Sequence, residues 1–352
     1  MILEETKILK VNPDLSGDGD IEKIAYAAEI IKKGGLVAFP TETVYGLGAN
    51  ALDENAVSSI FKAKGRAQDN PLIVHVSDST HINRFAVAEG NKKADILLSQ
   101  MPAPLTVILP KRENIPLMVT AGLDSVAMRV PQNIVARKLI ELSGLPISAP
   151  SANLSGKPSP TKAQHVISDM TGRADVIIDG GDCEVGLEST VISLCYDVPR
   201  LLRPGGFTYE KLNSLLGKVD LSDAVLEKLK EGQKAESPGM KYKHYAPDTK
   251  VILVKGGQTA VHEFLLEKYN QESCGIICFN EDIPERSERI LVMGSRKNEE
   301  EYAERMFDAL REVDRISGID TVYAVLPETT DGISLAIYNR MLRAAAFNLI
   351  EL

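Results

Sequence analysis

The sequence contains no tryptophan, and its 352 residues include only 4 cysteines and 5% aromatic side chains. So few cysteines, scattered along the chain, cannot form the disulfide framework of a small secreted scaffold. No apolar run approaches the ~18–20 residues that a membrane-spanning helix needs. The first residues also lack the apolar core of a signal peptide. These absences predict a cytoplasmic protein that makes no membrane contact.

Basic residues are outnumbered by acidic ones, with 40 Lys+Arg against 49 Asp+Glu and a formal net charge of −9. Proteins that coat nucleic acid need a Lys/Arg surplus on one face, and single-strand binding uses aromatic stacking platforms. Both features are scarce here, so contact with tRNA is expected to be weak or absent. The charge is compatible with a small, local anion site.

Several familiar sites are also missing. The chain has no G-x-x-x-x-G-K-S/T phosphate loop, and Gly46-Leu-Gly48 lacks the third glycine of a dinucleotide fingerprint. His262-Glu263 has no second histidine at the zincin spacing. Cys274 and Cys278 stand in an apolar strand and are expected to be buried thiols. No residue is assigned as a protein ligand to a metal.

Short apolar strands alternate with amphipathic helices along residues 1–217, which predicts an α/β or α+β domain. Leu36–Pro40 has the pattern of a buried strand, and Asp53–Lys64 that of a helix capped by Asp53. Further strands are predicted at Leu72–Val76, Thr106–Leu109, Val126–Val130, Pro146–Ala149, Val176–Ile178 and Val191–Leu194, and helices at Asn91–Leu98, Asn133–Ser143, Thr161–Thr171 and Tyr209–Leu216.

The pattern changes after Gly217. A charged helix is predicted over residues 218–236, followed by a segment with two prolines and a glycine at Ser237–Pro247. Residues 218–248 are therefore interpreted as a linker or lid. A second α/β series at 249–352 predicts a smaller, Rossmann-like domain with a parallel sheet. Its predicted strands are Val251–Val254, Cys274–Phe279, Ile290–Val292 and Thr321–Leu326, and its helices are Val261–Tyr269, Asn298–Ile316 and Ile333–Leu349.

The segment Phe39–Gly48 places polar groups at the end of a predicted buried strand. Thr41 and Thr43 supply hydroxyls, Glu42 supplies a carboxylate, and two glycines follow. Strand ends of this kind are where α/β sheets bind ligands, and glycine permits close backbone approach. An ordinary turn would explain the same residues equally well.

Lys64 and Arg66 stand two residues apart where the first predicted helix ends. A point charge beside a planar guanidinium suits phosphate oxygens, although cations also favour helix C-termini for dipole reasons alone. Both side chains are expected to be exposed. His75 lies on the next strand with Ile73, and either a packed core histidine or a site residue fits that position.

The segment Ser148–Gly156 is rich in small residues and follows another short strand. Ser151 and Asn153 supply neutral donors and accessible backbone N–H groups, which can cradle a phosphate. A serine-hydrolase nucleophile is the rival interpretation. It would need a G-x-S-x-G elbow with a paired base, and neither is visible.

Taken together, these segments resemble the YrdC-like family. The match covers nearly the whole chain, and the order and spacing of the segments agree as well as their residues. The linker and C-terminal domain resemble the long, two-domain form of that family, the threonylcarbamoyl-AMP synthases. The segments that carry the resemblance are Phe39–Ala49, Lys64-x-Arg66 with Asn70–His75, Pro104–Thr106, Val126–Arg129, Ala149–Ser155, Glu188–Val191, Leu202–Gly205 and Pro238–Pro247.

The resemblance implies a twisted, mixed sheet in the N-terminal domain and a defined reaction. L-threonine, bicarbonate or CO2, and ATP would give threonylcarbamoyl-AMP and pyrophosphate. The product would pass to a tRNA threonylcarbamoyl transferase that makes N6-threonylcarbamoyladenosine. Mg2+ would accompany ATP through phosphate oxygens and water. Catalysis would rest on positioning and charge stabilisation more than on one strong base.

The resemblance also implies residue roles. Lys64, Arg66, Ser151 and Asn153 match the phosphate-binding signature of the family, and they are the catalytic candidates. Arg129 is the best candidate for the threonine carboxylate. The implied ATP site is Lys64, Arg66, Asn70, Thr120, Ala149, Ser151, Asn153, Arg203 and Tyr245 of the lid, and the implied threonine site is Thr41 or Thr43, His75, Arg129 and Ser189.

Two positions depart from the pattern of the family. Ala67 stands where proline is common, and Met101-Pro-Ala103 stands where many members have Trp-Pro-Gly. Neither change removes an assigned polar group. Because glycine permits backbone angles that alanine does not, Ala103 puts the local geometry near Thr106 in doubt.

Two other functions fit part of the pattern. A carbamoyltransferase of the hydrogenase-maturation type also contains a YrdC-like domain, but it carries an acylphosphatase-like module and zinc-finger cysteine pairs that this chain lacks. An RNA-binding module of YrdC type without adenylate synthesis is the alternative from another class. Release of pyrophosphate that depends on threonine separates it from the synthase.

Overall fold

The computed structural model describes residues 5–227, 245–283 and 287–352. The chain divides into two compact units. Among the described residues, the first holds 5–155, Pro160–Glu184 and 188–227, and the second holds Gly156–Ser159, Val185–Leu187 and the residues from Tyr245 onward. Most of the predicted linker at 218–248 lies outside the described residues, so the predicted domain boundaries stay a prediction.

The described part of the first unit contains an eleven-stranded sheet in the order β1-β8-β2-β3-β7-β4-β6-β5-β9-β10-β11. Parallel and antiparallel neighbours are mixed within it, as predicted. The strands are β1 Lys7–Lys10, β2 Val37–Phe39, β3 Gly46–Asn50, β4 Ile73–His75, β5 Leu105–Pro110, β6 Ser125–Arg129, β7 Ile147–Ser148, β8 Val176–Asp179, β9 Thr190–Ser193, β10 Arg200–Arg203 and β11 Asp220–Leu221.

Helices α1 and α5 bury apolar side chains against one part of this sheet. Ile24 and Ile31 of α1 join Val135 and Leu139 of α5 in one core cluster, together with Phe39 of β2. This burial fixes β2, and with it the start of the polar segment that follows Phe39. The α-helices of this unit are α1 Asp20–Lys32, α2 Glu54–Lys64, α3 Lys92–Leu98, α4 Leu117–Thr120, α5 Ile134–Ser143, α6 Ala163–Met170 and α7 Tyr209–Leu216.

The second unit contains a five-stranded parallel sheet in the order β14-β13-β15-β12-β16. The predicted Rossmann-like architecture is confirmed. Its strands are β12 Lys250–Lys255, β13 Cys274–Cys278, β14 Ile290–Val292, β15 Thr321–Val325 and β16 Leu349–Glu351, and its α-helices are α8 Gln258–Gln271, α9 Glu299–Glu312 and α10 Ser334–Ala344. No helix in the described ranges is both long enough and apolar enough to cross a bilayer.

Two predicted helices are wrong in part. Residues 218–227 form no α-helix, because β11 pairs with β10 and the Ser222 amide donates to the Leu201 carbonyl at 3.0 Å. Tertiary pairing outweighs the helical composition there. The helix predicted to reach Leu349 ends at Ala344, since Ala346 and Phe347 adopt positive φ. The chain then continues as β16.

Two glycines allow close approach near the predicted site. A Cβ on Gly48 would lie 2.6 Å from Phe39 Cε1 and 2.7 Å from Ile147 Cγ2. A Cβ on Gly205 would lie 2.5 Å from the Glu188 carbonyl oxygen. Neither distance is compatible with a real side chain, so glycine is required at both positions.

Candidate active site

The first and third polar segments of the sequence are joined by backbone pairing. Gly46 and Ser151 form an antiparallel bridge. The Ala152 amide donates to the Tyr45 carbonyl at 2.8 Å, and the Leu47 amide donates to the Pro150 carbonyl at 2.9 Å. The segment after β7 is therefore held directly beside β3.

Lys64 reaches this segment from the end of α2. Gly65 caps the helix with a φ of 62°, and the Lys64 side chain turns inward until only 2% of the residue is exposed. Its Nζ donates to the Ser151 carbonyl and, at 2.5 Å, to the Asn153 carbonyl. The expectation of an exposed Lys64 is wrong, because backbone carbonyls of the Ser151–Asn153 turn draw its ammonium inward.

The structure thus brings Lys64, Ser151 and Asn153 together. Ser151 Oγ donates to Asn153 Oδ1 at 2.5 Å, and that oxygen lies 3.4 Å from Lys64 Nζ. Arg66, two residues after Lys64, is half-buried, and its Nη2 lies 3.5 Å from the Asn70 carbonyl and 3.4 Å from that of Pro71. We call Lys64, Arg66, Ser151 and Asn153 the basic cradle.

Three predicted ATP-site residues lie near β4, which follows the basic cradle in the chain. Asn70 is buried, and its Oδ1 has no hydrogen-bond partner in the part of the chain that the structure describes. Thr120 is buried at the end of α4, whose Val119 carbonyl accepts from the Leu72 amide at 2.8 Å. The Ala149 amide donates to the Ile73 carbonyl at 3.0 Å.

The predicted threonine-site residues form a row across neighbouring strands. His75 of β4 lies opposite Arg129 of β6 in the parallel register. Val107 of β5 lies opposite Met128, so Thr106 comes next to Arg129 in the antiparallel pair. The row continues to Ser189, because Thr106 Oγ1 lies 2.7 Å from Ser189 Oγ.

Arg129 is the centre of a buried polar network. Its Nη2 lies 2.7 Å from Glu42 Oε1 and donates to Thr43 Oγ1 at 2.8 Å. Thr43 Oγ1 is 2.8 Å from Thr41 Oγ1, which donates to the Val44 carbonyl at 2.6 Å. Arg129 Nε is buried and has no hydrogen-bond partner among the described residues.

Arg203 lies beside the threonine row. Its Nε donates to the Ser189 carbonyl at 3.0 Å, and its Nη2 donates to Ser189 Oγ at 3.2 Å. The resemblance implied that Arg203 binds ATP, whereas the structure places it against a residue of the threonine set. Tyr245 belongs to the second unit, where its ring packs against that of Phe307 with the two ring centroids 5.2 Å apart. Its predicted closure over ATP stays a prediction.

Comparison with known proteins matches both units. The family model Sua5/YciO/YrdC, described as telomere recombination, matches residues 29–205. A second model, described as the C-terminal domain of threonylcarbamoyl-AMP synthase, matches residues 207–346. The threonylcarbamoyl-AMP synthase of Pyrococcus abyssi is 46% identical over 94% of this chain and 96% of its own length.

The chain belongs to the two-domain threonylcarbamoyl-AMP synthase family.

A second family member, the threonylcarbamoyl-AMP synthase of Bacillus subtilis, is 42% identical over 94% of both chains. The crystal structure of P. abyssi Sua5 complexed with L-threonine aligns with a TM-score of 0.91 and 43% identity, covering 99% of this chain and 100% of that one. The predictions of family, mixed sheet and two-domain architecture are therefore confirmed. The residue roles stay predictions.

Ala103 does not adopt a backbone conformation that requires glycine. Its φ is not positive, and its amide donates to the Val130 carbonyl at 3.3 Å. The glycine common at this position elsewhere is therefore not needed for a left-handed backbone here.

Two residues of the network were missed as site residues. Glu42 was noted only as a carboxylate, and Thr106 only as a neighbour. By strand alternation Thr106 shares a face of β5 with Ile108. Its contact with Ser189 depends on the β5–β9 pairing, and the two residues lie 83 positions apart in the sequence. Such long-range pairs give no local signal.

His75 is neutral in this site. Burial, followed by the charge of nearby Arg129, lowers its pKa from 6.5 to about 3. Its Nδ1 lies 3.3 Å from the Ile147 carbonyl, and a carbonyl only accepts, so the proton of the neutral ring sits on Nδ1. His75 therefore cannot serve as a cation for the carboxylate at neutral pH.

The buried imidazole predicts an acid-sensitive fold. Below pH 6.5 His75 is protonated in the unfolded chain, whereas in the folded chain it stays neutral until about pH 3. The free energy of unfolding therefore falls as the pH falls through this window. When the pH is lowered from 7 to 4.5, the free energy of unfolding should fall for both proteins. We expect the fall to be about 2–3 kcal/mol smaller for His75→Asn than for wild type. Urea unfolding followed by circular dichroism measures this. His262→Asn, at a half-buried position of α8, is the control. Equal losses of unfolding free energy in wild type and H75N would contradict the assignment.

Proposed function

We propose that the protein is an L-threonylcarbamoyladenylate synthase that supplies the activated intermediate for N6-threonylcarbamoyladenosine in tRNA. The observation that carries the proposal is Arg129, which is almost fully buried with an Nε that has no partner in the described structure. A buried guanidinium N–H of this kind suits a carboxylate oxygen. Membership of the family supports the same substrate, since one relative crystallised with L-threonine.

The reaction needs two anions in one pocket. The threonine amine attacks CO2, derived from bicarbonate, and loses a proton to give a carbamate. A carbamate oxygen then attacks the α-phosphorus of ATP, and the bond to the β-phosphate oxygen breaks to release pyrophosphate. Arg129 holds the carboxylate, and the basic cradle holds phosphate oxygens, with Asn70, Thr120 and Ala149 beside it. Fixed cations at these positions stabilise charge as it moves to pyrophosphate.

Mg2+ would enter with ATP. The basic cradle offers cations and neutral donors, which suit phosphate oxygens and not a protein-held metal. The described residues contain no group of three or more His, Cys, Asp or Glu side chains able to hold a metal ion. Mg2+ would neutralise triphosphate charge through phosphate oxygens and water. We assign the downstream step to a tRNA threonylcarbamoyl transferase and the location to the cytoplasm.

Pyrophosphate release tests this function directly. The purified chain is incubated with Mg2+ and ATP, with L-threonine and bicarbonate each omitted in turn, and the nucleotide product is identified by mass spectrometry. We expect pyrophosphate and threonylcarbamoyl-AMP only when all substrates are present. Release without threonine, or no release while the chain binds RNA, would contradict the proposal and favour the RNA-binding module.

A further inference from the structure

Glu42 uses both of its carboxylate oxygens within the Arg129 network. Oε1 accepts from Arg129 Nη2 at 2.7 Å, and Oε2 accepts from the Gln132 backbone amide at 3.0 Å. Only 2% of Glu42 is exposed. A carboxylate held at both oxygens has a fixed orientation, so its partner is fixed as well.

The hydroxyl chain beside Glu42 has one direction. Thr41 Oγ1 donates its proton to the Val44 carbonyl, so it accepts from Thr43 Oγ1. Thr43 Oγ1 has then given its own proton and accepts from Arg129 Nη2. Each group therefore donates a hydrogen bond to the next, from Arg129 to Thr43, from Thr43 to Thr41, and from Thr41 to the Val44 carbonyl.

Both hydrogens of Arg129 Nη2 are consumed by this arrangement. One is directed to Glu42 and one to Thr43. The Nε hydrogen and the two hydrogens of Nη1 have no partner among the described residues. The Nη2 corner of the guanidinium is thus clamped, and the donors on Nε and Nη1 are left for another anion.

We propose that Glu42 is the positioning residue for threonine recognition: it clamps Nη2 of Arg129 and so fixes the plane of the guanidinium, from which the remaining donors are offered to the substrate carboxylate. This role rests on the proposed function. It also gives the buried guanidinium a counter-charge, since an unpaired buried charge is strongly unfavourable. Glu42 touches no substrate atom in this scheme and acts through Arg129.

Replacing Glu42 tests the clamp. Glu42→Gln keeps the shape but offers one acceptor oxygen to two donors, so an amide N–H must face either Arg129 or the Gln132 amide. We expect the dissociation constant for L-threonine, measured by titration calorimetry, to rise about tenfold or more. The KM for threonine should rise in parallel while the KM for ATP changes less than about twofold.

Two further variants keep the test decisive. Glu42→Asp retains the charge with a shorter reach, so it should fold and bind threonine with intermediate affinity. Glu89→Gln is the matched control, because Glu89 Oε1 accepts from Arg112 Nη2 at 2.6 Å on the surface. E89Q should match wild type for both substrates.

The outcomes separate the two proposals. If the wild-type chain does not bind L-threonine, the proposed function fails. If wild type binds threonine and both Glu42 variants bind it equally well, the clamp alone is wrong. A purely structural role for Glu42 would lower the melting temperature and the active fraction without changing the threonine dissociation constant of folded protein, and that result would also overturn the inference.

Discussion

Replacing Lys64 with alanine is expected to reduce kcat/KM for ATP by about a hundredfold or more. Its ammonium is the buried cation of the basic cradle, held by the carbonyls of Ser151 and Asn153. Without it the cradle keeps only neutral donors beside Arg66, and negative charge on the departing pyrophosphate loses its buried counter-charge. Initial rates of pyrophosphate release over a range of ATP concentrations measure the effect.

The burial of Lys64 requires controls for folding. Lys64→Ala leaves two carbonyls without their donor, at about 1–3 kcal/mol each, so the melting temperature is measured in parallel. Lys64→Arg retains the charge and should fold while remaining impaired, since a planar fork cannot reproduce the ammonium contacts. Lys62→Ala removes an exposed lysine from the same helix and should be neutral. A folded K64A with wild-type kcat/KM would remove Lys64 from the mechanism.

The start and end of α2 show what local sequence can predict. Asp53 caps the helix as expected, its Oδ1 accepting from the Asn55 amide at 2.9 Å and the Ala56 amide at 3.3 Å. Gly65 ends it in the left-handed conformation. Both signals lie within a few residues of the helix. The burial of Lys64 has no such signal, because its carbonyl partners lie 87 and 89 residues further along the chain.

The Glu42–Arg129 pair shows the same limit in the site itself. The sequence placed a carboxylate after one strand and an arginine on another. The contact between them depends on how β2, β3, β7, β4 and β6 are ordered in the sheet. Pattern and propensity do not determine the order of non-consecutive strands. Resemblance to the family identified Arg129 as a candidate site residue. The contact of Glu42 with Arg129 became visible only in the folded structure.

The two incorrect helix predictions also come from long-range strand pairing. Residues 218–227 have helical composition, yet a parallel partner strand at Arg200–Leu201 draws Asp220–Leu221 into the sheet. Residues 349–351 likewise pair with β12. In this pairing Leu349 lies opposite Leu253, which stands 96 residues earlier in the chain. In both places a tertiary hydrogen-bond ladder competes with a weak local preference and wins.

Arg129→Gln is expected to raise the KM for L-threonine by about a hundredfold or more while the KM for ATP stays within about threefold. The guanidinium supplies the only charge in the row of His75, Arg129, Thr106 and Ser189, because His75 is neutral with a pKa of about 3. Threonine titrations of initial rate, with Arg112→Gln as the surface control, measure it.

A second substitution separates binding from stability. R129Q leaves Glu42 buried without its cation, which costs about 3–5 kcal/mol, so the variant should melt earlier than wild type. Adding Glu42→Gln removes the stranded charge and should restore much of the melting temperature. It cannot restore a partner for the substrate carboxylate, so the KM for threonine should stay high. If the double variant recovered threonine binding together with stability, Arg129 would be a structural residue and the carboxylate would have to bind elsewhere.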